Sequence, residues 1–276
     1  MPDRVTPRPL ALLLTCLVTL GLVPARGFAD ERFFTYTYEP KVLPEGALEF
    51  EQWTTLRAGK ENGVYSRWDL RSELEVGLTD RLTTAFYLNW KSVHFDSKDD
   101  TLDESEVEFK GVSSEWKLKL LDPTADAVGV LLYGEVSTNL NEFELEQKLI
   151  VGKNIDRLVL AFNTNVEEEW EFVRENGESE TESELKLEFT AGASFRVTDR
   201  FALGVEVREV NVFPDMEDLE HAALFAGPAL HYSRDRWWAT FTILPQIVAL
   251  KGTTGDSVNL DEFERAEFRL IFGLHF

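Results

Sequence analysis

From residue 46 onward, apolar and polar side chains alternate with a period of two. Trp68, Leu70, Leu74, Val76 and Leu78 alternate with Arg67, Asp69, Arg71, Glu73 and Glu75. Further on, Leu185, Leu187, Phe189, Ala191, Ala193, Phe195 and Val197 alternate with Lys186, Glu188, Thr190, Ser194 and Arg196. Successive side chains of a strand point to opposite faces, so each segment has one apolar and one charged face. The pattern predicts twelve strands, over 46–58, 64–78, 82–94, 105–120, 127–138, 142–152, 157–172, 183–197, 201–213, 221–233, 237–250 and 260–276. Between Phe109 and Val112 the parity slips, which predicts a β-bulge.

A soluble sandwich would alternate in the same way, and three further features argue for a transmembrane barrel. Short turns recur as Thr79-Asp80-Arg81-Leu82, Ile155-Asp156-Arg157-Leu158, Thr198-Asp199-Arg200-Phe201 and Arg234-Asp235-Arg236-Trp237, with Asp122-Pro123 between the first two. Their spacings, 42, 34, 43 and 36 residues, each hold two strands and one more variable connection. The longer connections are acidic, as in 96–106 (DSKDDTLDESE) and 175–184 (ENGESETESE). Tight turns at one end and longer polar loops at the other form the up-and-down plan of an antiparallel outer-membrane barrel.

The last strand carries the second feature. Phe268, Leu270, Phe272, Leu274 and Phe276 are apolar at every second position, and the final residue is aromatic. This resembles the terminal strand that the barrel-assembly machinery reads in bacterial outer-membrane proteins. The third feature is tryptophan placement. Trp68, Trp90, Trp170, Trp237 and Trp238 fall at predicted strand ends, as interfacial aromatic girdles require, whereas Trp53 and Trp116 read as ordinary core residues.

In lipid the apolar faces must look outward, because a charge at the bilayer midplane costs about 2–4 kcal/mol. That assigns to the lumen Glu49, Glu51, Arg67, Asp69, Arg71, Glu73, Glu75, Glu115, Lys117, Lys119, Glu135, Glu144, Glu146, Lys148, Lys186, Glu188, Arg196, Glu206, Arg208, Glu267 and Arg269. A dry interior holds so many charges only if they are paired. Two readings remain open: cross-strand pairs that close the interior, or a water-filled channel with charged walls. Twelve strands give a bore between that of eight-stranded barrels and general porins, suited to small polar or charged solutes.

The N-terminus reads as a secretory signal over 1–29. Arg4 and Arg8 supply a positive start, Leu10 to Val23 an apolar stretch, and Gly27-Phe28-Ala29 a cleavage site, with Val23-Pro24-Ala25 as a second. Residues 30–45 would follow as a periplasmic tail or a lumen segment, with the barrel over 46–276. The single cysteine, Cys16, lies within the signal and is preceded by Thr15, which disfavours a lipoprotein. The mature chain then has no disulfide and no thiolate metal site. Signal removal leaves 25 basic against 49 acidic residues, a net charge of −24. That acidity argues against nucleic acid as a partner, and 12% aromatic content argues against disorder.

The segment Phe33 to Leu56 (FFTYTYEPKVLPEGALEFEQWTTL) is one carrier of a family resemblance. A second runs from Phe225-Ala226-Gly227-Pro228 through Asp235-Arg236-Trp237-Trp238 to Leu244-Pro245-Gln246. They resemble an uncharacterised proteobacterial family of outer-membrane β-barrels, similar to proteins assigned by prediction as transporters associated with aromatic-degradation pathways. The resemblance implies a barrel and suggests transport, names no solute and carries over no functional residue.

Other functions leave weaker marks. An outer-membrane hydrolase needs a base within reach of its nucleophile, and Asp215, Asp218 and His221 are the best grouping; no Gly-x-Ser-x-Gly is present. A surface-binding barrel would use acidic loops such as Glu167 to Glu169 and 175–184 as hard-oxygen ligands, yet these lack the spacing and glycine of a calcium loop. No cofactor and no metal are expected. The expected partners are outer-membrane lipid, lipopolysaccharide, the barrel-assembly machinery through the last strand, and a small solute.

Overall fold

The computed structural model describes residues 31–98, 103–175, 178–253 and 256–276, without the side chains at 174, 175, 178 and 179. The proposed signal over 1–29 lies outside the described residues, as do 99–102 within one acidic connection and 176–177 within the other.

Twelve strands form one closed antiparallel barrel: β1 (Leu48–Lys60), β2 (Gly63–Thr79), β3 (Leu82–Ser97), β4 (Glu104–Leu121), β5 (Gly129–Thr138), β6 (Glu142–Ile155), β7 (Leu158–Glu175), β8 (Glu178–Arg196), β9 (Phe201–Pro214), β10 (His221–Arg234), β11 (Trp237–Lys251) and β12 (Ala266–His275). Each pairs with its neighbours in sequence, and β1 pairs with β12 from Glu49↔His275 to Ala58↔Ala266. Closure leaves no strand edge with unpaired backbone groups to face hydrocarbon.

The recurring Thr-Asp-Arg turn has a local cause. Thr79 Oγ1 accepts from the backbone of Arg81 and Leu82 at 3.2 and 3.0 Å, and Thr198 Oγ1 repeats this with Arg200 and Phe201. Asp122 Oδ1 does the same work for Thr124 and Ala125, at 2.9 and 3.1 Å. The parity slip in β4 is a bulge: Asn89 faces Gly111 and Trp90 faces Phe109, so Lys110 is the extra residue, and Gly111 carries the positive φ of 99°.

Three sequence expectations need correction. Residues 260–265 are not strand. Leu260 and Phe263 are three apart, which no strand face accommodates, and both turn inward, Phe263 edge-on to Phe225 at 6.0 Å. Residues 178–184 are strand rather than loop, paired with β7 as far as Glu175↔Glu178. There both faces are polar, so no alternation betrays the strand. Two tryptophans exchange roles: Trp116 is on the outer face, 49% exposed, while Trp238 is fully buried inside.

The outer surface is apolar. Phe86, Leu88, Leu132, Leu149, Phe162, Leu203 and Leu230 are all exposed on it, as are Leu270 and Phe272 of β12. A soluble protein would not leave so large a continuous patch uncovered; a bilayer covers it.

The packed core is therefore inside, around residues 31–47. Tyr38 and Val42 pack with Trp53, Leu131, Tyr133, Ile150, Trp238 and Ile271. Tyr36 packs with Val210, Val212, Phe225, Leu244 and Phe263, and Phe33 and Phe34 with Val159, Ala161, Ala202 and Ala229. The interior is thus partly apolar, which the assignment of charges alone to the lumen missed.

Candidate functional site

The segment 31–47 enters from the end that holds both barrel termini and lies across the bore as a strap. Only at Gly46 and Ala47 does its backbone bond a strand, at Gly77 of β2; over 31–45 side chains of the wall take that place. Glu206 accepts from the N–H groups of Thr35, Tyr36 and Thr37 at 3.2, 2.8 and 2.5 Å. Asn163 accepts from Tyr38 N at 2.6 Å and donates to Tyr38 O at 2.9 Å. Thr83 Oγ1 takes Leu43 N at 3.0 Å, and Thr240 Oγ1 donates to Arg32 O. Within the strap, Glu39 takes Phe33 N at 2.7 Å. Buried peptide groups rarely stay unpaired, so Glu206 and Asn163 act as surrogates for a neighbouring strand.

Cations clasp the strap's aromatic rings. The Arg32 guanidinium lies 3.7 Å from the Tyr38 ring centre and 4.5 Å from that of Trp53. Arg269 lies 3.7 Å from the Tyr36 ring centre and donates to Thr35 O at 3.3 Å and Thr55 Oγ1 at 2.8 Å. Such contacts strengthen where water is excluded.

The strap divides the lumen. On the outer side a cavity of about 240 Å³ has Tyr36, Tyr38 and Trp53 among its lining residues, under charged walls. On the turn side a cavity of about 570 Å³ is lined by Phe33, Pro40, Lys41, Val42, Arg196 and His231, among others. Phe34, Thr35 and Thr37, fully buried, lie between them.

The charged positions fall into three groups. Below the strap, Glu49, Glu51, Glu73, Glu75 and Glu115 are buried together. Glu49 accepts from Trp238 Nε1 and lies 3.1 Å from His275 Nδ1. Glu51 and Glu73 share Trp53 Nε1 at 2.7 and 3.1 Å. Lys117 reaches Glu75 at 2.6 Å and Glu115 at 3.3 Å, and Tyr87 donates to Glu115. Above the strap run ladders of opposite charge. Arg67 and Arg57 meet Asp69 at 2.8 and 2.9 Å, Arg71 meets Glu135, and Lys148 meets Glu146 at 3.0 Å. Arg208 joins Glu188 to Glu267, which also takes Arg57 at 2.5 Å. Lys186 binds Glu167, Glu169 and Glu184 at 3.0, 3.4 and 2.9 Å, so those acids are engaged with the wall rather than free in a loop. At the turn-side rim, Lys119 lies 3.4 Å from Asp122, and Arg196 lies 5.0 Å from the Phe33 ring. Glu144 lines the outer cavity.

Sequence parity missed Arg57, Glu167 and Glu169. Arg57 continues the 49, 51, 53, 55 face and was legible there; Phe34, Tyr36 and Tyr38 alternate with Thr35 and Thr37 as a short strand would, and nothing in that pattern places them inside the barrel. The Asp215, Asp218 and His221 grouping is not brought together: the acids near His221 Nε2 are Glu262 at 3.7 Å and Glu220 at 3.9 Å. Carboxylate oxygens of Glu49, Glu51 and Glu75 lie within 4.8 Å of one another, as do those of Glu142, Glu144 and Glu169. Five of the six are engaged by other side chains: Glu49 by Trp238, Glu51 by Trp53, Glu75 by Lys117, Glu169 by Lys186 and Glu142 by Lys110.

Gly192 sets the fit of the strap. A Cβ there would stand 2.6–2.7 Å from the Phe34 ring, whereas one on the outward Gly134 would meet nothing within 4 Å. Gly192→Val should expel Phe34 and expose the strap to trypsin after Arg32; Gly134→Val should leave the digestion unchanged. Equal digestion of the two would refute this seating.

An apolar exterior, a closed antiparallel wall and an ion-paired interior crossed by a strap define an integral β-barrel of the outer membrane. The chain belongs to DUF6662, a family of unknown function, which it matches over residues 26–276. Its fold is similar to that of the COG4313 outer membrane channel from Pseudomonas putida F1, at 12% identity and a TM-score of 0.64, over 88% of this chain and 100% of that one. It is also similar to the translocator domain of autotransporter NalP from Neisseria meningitidis, at 12% identity and a TM-score of 0.53, over 83% and 88%. No curated protein matches the sequence. The resemblance read from the sequence thus holds at the level of an outer-membrane barrel family.

Proposed function

We propose that this barrel is a channel for small polar or charged solutes, closed in this state by the strap at 31–45. The observation that carries the reading is the division of the lumen into two cavities by a single stretch of chain. Polar and ion-paired side chains stand on the wall on either side, among the apolar ones that seat the strap, so the bore can take up water once the strap moves. The likeness to a channel and the resemblance to proteins assigned as transporters support the same reading. Around this path, the outward set Phe268, Leu270, Phe272, Leu274 and Phe276 is the surface offered to the barrel-assembly machinery and then to lipid. The acidic outer ends of β7 and β8 would meet lipopolysaccharide through bridging cations.

Single-channel recording in planar bilayers tests the proposal. The intact mature chain should stay mostly closed, and a chain lacking 31–45 should show steady, large openings. A silent bilayer with both proteins would overturn the channel and leave a structural barrel.

A further inference from the structure

Fourteen charged residues line the outer cavity. Twelve have an oppositely charged partner within 4.0 Å, through the ladders above the strap and Lys110–Glu142. Two do not. Arg269 is held by Thr55, Thr35 O and the Tyr36 ring, without a carboxylate partner among the described residues. Glu144 has neither an ion pair nor a side-chain hydrogen bond among them.

These two stand on opposite walls. In the closed ring of twelve, β12 and β6 are six strands apart. Each has like charges close by, and those neighbours are matched by partners of their own. Beside Glu144 are Glu142 and Glu169, with oxygens within 4.8 Å, and the same wall carries Glu146 and Glu167. Beside Arg269, Arg57 and Arg208 converge on Glu267. Between them, Tyr36, Tyr38 and Trp53 supply an aromatic floor.

We propose that the outer cavity is a binding site for a small zwitterion whose two charges are separated by a short apolar stem, of the ω-amino acid type. The ammonium faces Glu144, the carboxylate faces Arg269, and the stem lies over the aromatic rings. A simple anion satisfies Arg269 and leaves Glu144 unmatched; a simple cation does the converse. A zwitterion matches both unpaired groups in a site where water screens them poorly, which is how specificity arises from charge placement. This inference rests on the channel reading only in taking the outer cavity as reachable by solute.

Calorimetric titration of the detergent-solubilised mature chain with 6-aminohexanoate, hexanoate and hexylammonium tests it. The zwitterion should bind at least tenfold more tightly than either ion of the same length. Glu144→Gln should abolish its advantage over hexanoate, and Arg269→Gln its advantage over hexylammonium. Arg269 also holds the strap, so Glu144→Gln, whose side chain makes no hydrogen bond or ion pair to the strap's described residues, is the decisive variant. Equal affinities, no heat from any of the three, or an advantage that survives Glu144→Gln would overturn the site. Conduction by the strap-deleted chain, with no zwitterion preference in the titration of the intact chain, would sink this inference and leave the channel standing. Preference without conduction would do the reverse.

Discussion

Glu206→Ala should open the barrel almost as fully as deletion of the strap. One carboxylate, fully buried, receives three consecutive backbone N–H groups and the Thr35 hydroxyl, the last at 3.4 Å. Without it those three donors stay in place with no acceptor, and each buried donor left unsatisfied costs about 1–3 kcal/mol. Even the lower figure, taken three times, is roughly a hundredfold in the equilibrium between seated and released strap. The barrel itself should survive, because β9 keeps its backbone ladders to β8 and β10. Open probability in bilayers and tryptic cleavage after Arg32 should rise together. Glu206→Gln keeps one acceptor oxygen and should fall between the two. Parent-like conductance and protease resistance in Glu206→Ala would show that the strap is held elsewhere.

The second large effect belongs to Glu267, which is 1% exposed and serves two arginines at once. Arg57 Nη1 lies 2.5 Å from it and Arg208 Nη1 3.0 Å. Removing one partner of a buried ionic cluster typically costs about 3–5 kcal/mol, because the remaining charge has lost its compensation. Arg57 keeps Asp69 and Arg208 keeps Glu188, so the loss in Glu267→Ala should sit near about 3 kcal/mol. The neighbouring Glu264 reaches Arg57 only at 4.0 Å and, among the described residues, no other arginine, so Glu264→Ala should cost clearly less than Glu267→Ala. Urea unfolding midpoints in detergent separate the two. Equal destabilisation would mean that the site responds to lost packing rather than to lost charge compensation.

The pattern along the chain determined the wall. A strand's side chains alternate whatever surrounds it, so the strands and the opposed charged and apolar faces in 67–75 and 185–197 follow from period two, and the recurring turns and the apolar last strand turn that pattern into a closed membrane barrel. The turns were legible for a similar reason: a threonine or aspartate accepting its own backbone two and three residues on is a local event.

What fills the bore was not legible, because it depends on contacts between residues far apart in sequence. Phe34, Tyr36 and Tyr38 alternate with Thr35 and Thr37, but Phe33 to Leu43 has no partner strand, so nothing local says that its peptide groups will find Glu206, Asn163 and Thr83. The switch of apolar parity in β9, where Val205 faces out but Val210 and Val212 face in, was a trace of an apolar interior, and it acquires meaning only once Tyr36 and Phe263 are seen against it. Which charges are matched was equally a tertiary decision. Alternation places a carboxylate inside the barrel, but the wall's curvature and the strap's position decide that Glu267 meets two arginines while Glu144 and Arg269 meet no opposite charge.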